Sequence, residues 1–188
     1  MPLKEIAKIQ RRRHITRPIE SGFSMIELLV AVLVMGVGVL GITGLQVVSL
    51  QNNGSALIRG QAVQLSYEIL DRIRANPLGT PAGNAYNNIS LAQAPVGATN
   101  CEAGPCSEAQ MAVFDVAIWK CSLGNYNSES VCEGLRNAGV LPSVSELPGL
   151  PQGDGSISVS AEGVITVTVQ WQESNQPNVT VISIDSQV

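Results

Sequence analysis

The sequence predicts an α+β chain: one long N-terminal helix, apolar in its first half and amphipathic in its second, packed on a small C-terminal antiparallel sheet. Three observations predict it. Leu28 to Leu45 reads LLVAVLVMGVGVLGITGL, 18 residues without a charge, which reaches the lower length limit for a helix crossing a bilayer. Ile58, Ala62, Leu65, Ile69 and Ile73 then come at steps of four, three, four and four, the stripe of a helix with one buried face. The last third of the chain alternates β-branched and polar residues, the period of half-buried strands.

Size and charge narrow the reading before any element is placed. At 188 residues and 19.8 kDa there is room for one ordinary domain and a special segment, and too little for a multidomain enzyme. With 45% hydrophobic and 14% charged residues the chain is not intrinsically disordered, and 4% aromatics leaves few anchors for stacking on bases. Lys4, Lys8, Arg11, Arg12, Arg13 and Arg17 give the first 22 residues a net charge of +4, so the rest carries -8. An acidic body with pI near 5.0 argues against a phosphate-neutralising surface, and no nucleic-acid partner is expected.

A basic stretch before an apolar run ordinarily means a signal peptide or an anchor with its positive end in the cytoplasm. A secretory signal fits poorly here. The apolar run is too long for its core, and the small residue that should come after it, Gly22, comes before it. Ser21, Gly22, Phe23, Ser24, Met25, Ile26 and Glu27 lead into Leu28, Leu29, Val30 and Ala31, so one carboxylate stands inside an otherwise unbroken apolar stretch. Placing it in lipid costs about 2.5 to 3.5 kcal/mol on insertion scales, so Glu27 needs a partner or a task.

At these residues, GFSMIELLVA, the sequence resembles the class III signal of type IV prepilins and type II secretion pseudopilins: a short basic leader, a Gly, an aromatic or Met, and a Glu four residues on in a hydrophobic helix. The resemblance implies a type IV pilin-like fold. It also implies cleavage between Gly22 and Phe23 by a membrane-embedded prepilin peptidase, which N-methylates the new Phe23 amine. Residues 1–22 would then be a removed leader, residues 23–50 the transmembrane and filament-core half of the helix, and residues 51–188 a periplasmic globular head. Bottom-up chemistry agrees with that division. Gly22 lets a protease approach the backbone, and the new positive terminus lies just before Glu27, which could pair with the amine of an adjacent subunit. A buried pair of that kind specifies register more than it adds stability.

The helix is expected to run from about Ser24 to Ala75, roughly 75 to 80 Å at 1.5 Å per residue. Asn76-Pro77 stops it, because proline disfavours a helical residue before it and has no donor. Gly36, Gly38, Gly41 and Gly44 crowd its apolar half, each costing about 0.8 to 1 kcal/mol relative to alanine. They serve close helix packing or local melting on leaving the bilayer. Major pilins often carry a proline in this region, which this chain lacks.

Leu78 to Pro105, rich in Gly, Pro and Asn, reads as a long irregular excursion. Ser107 to Lys120 (SEAQMAVFDVAIWK) reads as a short helix capped by Ser107, with Met111, Phe114, Val116, Ile118 and Trp119 covering more than one face. Cys101, Cys106, Cys121 and Cys132 would lie in an oxidising periplasm and pair. Three connectivities are open to them. Cys101 with Cys106 and Cys121 with Cys132 is the favoured one, since these close small loops near helix ends. Ser156 to Ser160, Val164 to Gln172 and Asn178 to Asp185 read as a three-stranded meander. The glycines at 149, 153 and 155, with Pro151 and Asp154, read as a turn region before it.

No catalytic constellation is legible. The one histidine, His14, lies in the leader, and Asp71, Glu108, Asp115 and Asp154 read as dispersed, solvated surface charge. The cysteine spacings do not form two close ligand pairs, so no metal and no cofactor are expected. Asp115, Trp119, Leu147-Pro148-Gly149 and a strand ending in Trp171 look like minor pilins of the PilV type. That resemblance implies a non-enzymatic minor pilin that helps prime pilus assembly in a tip complex, supporting twitching motility and adhesion. Its partners would be other minor pilins, the major pilin, the prepilin peptidase and a tip adhesin. It would sit in the bacterial inner membrane as a single-pass protein and enter the extracellular pilus. Two alternatives stand beside this: a minor pseudopilin of type II secretion, and an unprocessed membrane-anchored periplasmic binding domain.

Overall fold

A computed structural model describes residues 22–76, 85–173 and 177–187. Residues 1–21, where the leader is expected, the first part of the expected excursion (77–84), residues 174–176 and residue 188 lie outside the described residues. The chain forms two compact units, Met1–Val48 and Ser49–Val188.

The described part of the first unit is apolar helix. Helix α1 spans Met25–Ala75, and every residue from Gly22 to Gly54 is exposed. Phe23, Met25, Leu29, Met35, Leu40 and Leu45 each leave about two thirds or more of their surface uncovered, so this stretch requires lipid or protein around it.

In the second unit the same helix becomes a structural member. Ala62, Leu65, Ile69 and Ile73 are buried and Ile58 packs against them, with Ser66 and Leu70 widening the stripe. The Ser66 hydroxyl donates to the Ala62 carbonyl at 2.9 Å, which satisfies it inside the core. Asn76, the residue before Pro77, ends the helix with its N–H on the Ile73 carbonyl.

Helix α2 spans Glu108–Leu123, three residues beyond the expected Lys120. Ser107 caps it in a reciprocal box: its hydroxyl accepts from the Gln110 N–H, and the Gln110 side chain accepts from the Ser107 N–H. The helix continues to Leu123 because the left-handed position that ends it is Gly124, at φ 114°. One side of α2 (Ala112, Trp119, Leu123) joins the core made by α1 and the sheet. The other (Phe114, Ala117, Ile118, Cys121) joins a second core with Tyr126, Leu135 and Leu141. That double burial explains apolar residues on more than one face. Helix α3, Ser130–Asn137, had no counterpart in the sequence reading and lies over this second core through Cys132 and Leu135. With only eight residues, it offers too short a periodic pattern to stand out.

Two disulfides are present. Cys101–Cys106 closes the loop before α2 with Cα atoms 5.5 Å apart, and Cys121–Cys132 joins α2 to α3 at 5.4 Å. The second is fully buried and serves as part of the second core.

The sheet is an antiparallel meander of β1 (Asp154–Val159), β2 (Val164–Gln172) and β3 (Val179–Gln187), in the order β1-β2-β3. Ile165, Val167, Val169 and Trp171 on β2 alternate inward into the core shared with α1. Long helix on small antiparallel sheet is therefore the arrangement of the head, a type IV pilin-like α+β fold. β1 ends one residue before the expected Ser160, and β3 starts one residue after the expected Asn178 and runs two beyond Asp185; at the start of β1, Asp154 and Gly155 join the strand, where they pair with Gln170 and Val169. Gly155 is there because a β-carbon would stand 2.5 Å from the Trp119 ring.

Gly155→Ala is accordingly expected to force Trp119 out of its rotamer and destabilise the head by about 1–3 kcal/mol. A thermal unfolding midpoint equal to the parent's would show that the ring has room to move.

Candidate functional site

At the N-terminal end, Gly22, Phe23 and Ser24 precede the helix in non-helical backbone. The Ser24 carbonyl accepts from the N–H groups of Glu27 (3.0 Å) and Leu28 (3.2 Å), which starts α1. Glu27 thus sits in the first turn, where the helix dipole favours a negative charge. Between Gly22 and Ile58 it is the only ionisable side chain, and the apolar side chains of α1 up to Leu50 are all uncovered. Gly22, Phe23 and Glu27 are all exposed, and a β-carbon at Gly22 would meet nothing within 4 Å. The chain's own fold therefore places no demand on a glycine there.

The charges in the head behave otherwise than the sequence suggested. Asp115 and Asp154, read as solvated, are both almost completely buried. Asp154 is the centre of one network. Its Oδ1 accepts from Lys120 Nζ and the Gly155 N–H, each at 2.7 Å; its Oδ2 accepts from the Ala92 N–H at 2.6 Å and the Tyr126 hydroxyl at 3.1 Å. Lys120, whose side chain is 1% exposed, also donates to the Ser90 carbonyl at 3.0 Å and lies over the Tyr126 ring. The network ties the excursion to both α2 and β1. It also holds Ala92 in the left-handed region, at φ 59°, a conformation that costs about 1–2 kcal/mol for a non-glycine residue.

Asp115 is the centre of the other network. It accepts from Arg72 of α1 at 3.1 Å and from the Tyr86 hydroxyl at 2.7 Å. Asn76, at the end of α1, donates to the Tyr86 oxygen and to the Glu108 carbonyl. Spacing could not reveal either network, since the groups that bond to the two carboxylates, the adjacent Gly155 N–H apart, are 28 to 62 positions away in the chain. Asp71, by contrast, is exposed beside Arg74, as expected of a surface charge.

These groups are saturated rather than poised for chemistry. Burial pulls Lys120 below its ordinary pKa, and the hydrogen bond and charge of Asp154 pull it back. Burial first, then Asp154, raises the Tyr126 hydroxyl; burial first, then the bond to Asp115, raises Tyr86. The cavity beside Lys120, lined by Ile89, Pro95, Val96, Val113 and Val116, holds about 50 Å³, far below the roughly 300 Å³ of a small substrate pocket. Among the described residues no group of three or more metal-ligating side chains comes together.

Because folded Lys120 holds its proton less tightly than the unfolded chain does, the unfolded chain binds more protons between the two pKa values, and this residue's contribution to stability rises with pH there. Tyr86 and Tyr126, both raised, act in the opposite sense above about pH 10. Asp154→Asn leaves a buried ammonium unpaired. The variant should lose about 3–5 kcal/mol at neutral pH and regain part of that loss as pH rises towards the ordinary lysine value. A denaturant-unfolding deficit that is flat with pH would mean that Lys120 reaches water.

Comparisons with known proteins bear on both ends of this description. Residues 17–43 match the prokaryotic N-terminal methylation motif, and residues 44–117 match the family described as Type IV pilin Tt1218. No curated protein and no solved structure matches the chain significantly. The methylation motif covers the junction at Gly22, Phe23 and Glu27, and the family match runs from the apolar helix into the middle of α2. The two matches adjoin without a gap and, with the long helix on its antiparallel sheet, they support a type IV pilin carrying the prepilin N-methylation motif.

Proposed function

We propose that this chain is a pilin, a minor subunit of a type IV pilus. Prepilin peptidase cleaves it between Gly22 and Phe23 and methylates the Phe23 amine. Residues 23–50 hold it in the inner membrane, and residues 51–188 form its periplasmic head. In the filament, Glu27 pairs with the amine of a neighbouring subunit and sets the register between helices. The single observation that carries this is the solitary carboxylate, four residues beyond Phe23, in the half of α1 whose apolar surface is entirely uncovered.

The minor role rests on the head. Trp119 and Trp171 are both fully buried in one core, and Asp115 bridges α1 and the excursion. The backbone of Pro148 and Gly149 crosses the end of α2 so closely that a β-carbon on Gly149 would stand 2.6 Å from the Gly124 Cα. The residues that resemble the PilV type are thus those that hold the head together, which supports reading them as the mark of a head type. That resemblance points to a place in a priming complex with other minor pilins and a tip adhesin, and to effects on twitching motility and adhesion.

Two substitutions test the reading. A bulky residue at Gly22, which the fold tolerates freely, should leave uncut precursor beginning at Met1, as read by N-terminal sequencing of envelope material; normal processing would contradict peptidase recognition. Glu27→Ala should insert in the membrane normally but be lost from sheared pili, and equal recovery of the variant and the parent would remove the proposed charge pairing.

A further inference from the structure

The sheet has two edges, and the fold treats them differently. The edge of β1 is covered by the excursion: Ile89 and Ile157 exchange both backbone hydrogen bonds, at 3.1 and 2.9 Å, and the Asn87 side chain accepts from the Val159 N–H at 3.0 Å. The edge of β3 is not covered. Among the described residues no backbone group of Val179–Gln187 bonds to anything but β2, although the strand is nine residues long. Of the features with which proteins blunt a free edge it carries a single charge, Asp185, and no Pro, Lys or Arg.

The side chains on that edge are unfinished in the same way. Ile182 and Ile184 point into the core but are only partly buried, while Ile165, Val167 and Val169 on the neighbouring strand are closed off. A further strand beside β3 would complete their cover and satisfy the outward-facing N–H and C=O groups together. Charge narrows the choice of occupant. Asp185 is the only ionisable residue on β3, lies on its exposed face, and accepts only from the Thr166 hydroxyl among the described residues. A Lys or Arg opposite it would be favoured. None of this chain's own three strands contains either residue, so a second copy's strand could not supply it.

We propose that the open edge of β3 takes an extended strand from a different subunit of the same assembly, aliphatic on the alternate residues facing Ile182 and Ile184 and basic across from Asp185. The inference rests on the filament reading above. Backbone pairing supplies the affinity, and the alternate side chains supply the selectivity.

Photo-crosslinking in the native host tests this on the full chain. p-Benzoylphenylalanine is placed at Val181 or Ser183, both exposed on β3, with Ser158 on the covered β1 side as control. The expected result is adducts from Val181 and Ser183 on one segment of a different subunit, displaced by two residues from each other. They should be lost in Asp185→Lys, which touches no core residue, and in Ile184→Lys, with folding of the latter checked by its two disulfides and protease resistance. Adducts to this chain, adducts scattered over a partner, a yield no higher than at Ser158, or a yield unchanged in both variants would each overturn strand addition. N-terminal sequencing of the same material separates the two readings. Protein that begins at Phe23 but gives no β3 adduct leaves the filament role standing, whereas protein that begins at Met1 overturns that role whatever β3 captures.

Discussion

One helix must satisfy two solvents with a single backbone. Helix α1 is uninterrupted from Met25 to Ala75, yet up to Gly54 it offers uncovered apolar side chains and from Ala62 it buries a stripe in a protein core. Every buried hydrophobic residue of the described chain lies in the second half of α1 or in the elements C-terminal to it, so the head's core does not draw on the apolar stretch. Everything the first half does must come from its surroundings, in lipid or among other helices. A lone carboxylate there gains significance because no described residue of its own chain pairs with it.

Within the head, α2 is the common member of both cores. Trp119 faces the α1–sheet core and donates its indole N–H to the Leu65 carbonyl at 3.0 Å, while Phe114 and Cys121 face the α3 side. The two buried carboxylates attach the excursion to this helix from both ends, Asp115 through Tyr86 and Asp154 through Ala92 and Lys120. An irregular segment gains order in this way without forming secondary structure of its own. The buried charges of Asp115, Lys120 and Asp154 are tolerated because each is hydrogen-bonded to a partner; either partner of the Lys120–Asp154 pair alone would carry a desolvation penalty of several kcal/mol.

The sheet shows the same economy. It is small, its inner face is closed by α1 and α2, and one of its edges is closed by the excursion. The remaining edge pairs with no described strand, carries Asp185 as its one charge, and lies beside isoleucines that are only partly buried.

Much of this was determined by local chemistry and so is readable from the chain alone. The apolar run and its stripe gave α1, β-branched alternation gave the meander, and Ser107 placed the start of α2 to the residue. The Gly22–Glu27 junction is a signal held within six consecutive positions, which is why it is legible without a fold. Tertiary structure decided the features that depend on distant partners. It chose one of three disulfide pairings, set Gly155 into a strand because a tryptophan ring crosses there, and extended α2 to a left-handed glycine. It also moved Asp115 and Asp154 from an expected surface into the interior. The physical reason is that a carboxylate's environment, a cysteine's partner and a glycine's necessity are set by atoms brought within about 3 Å by folding, and those atoms lie 5 and 11 positions away for the cysteines and as many as 62 for Asp154.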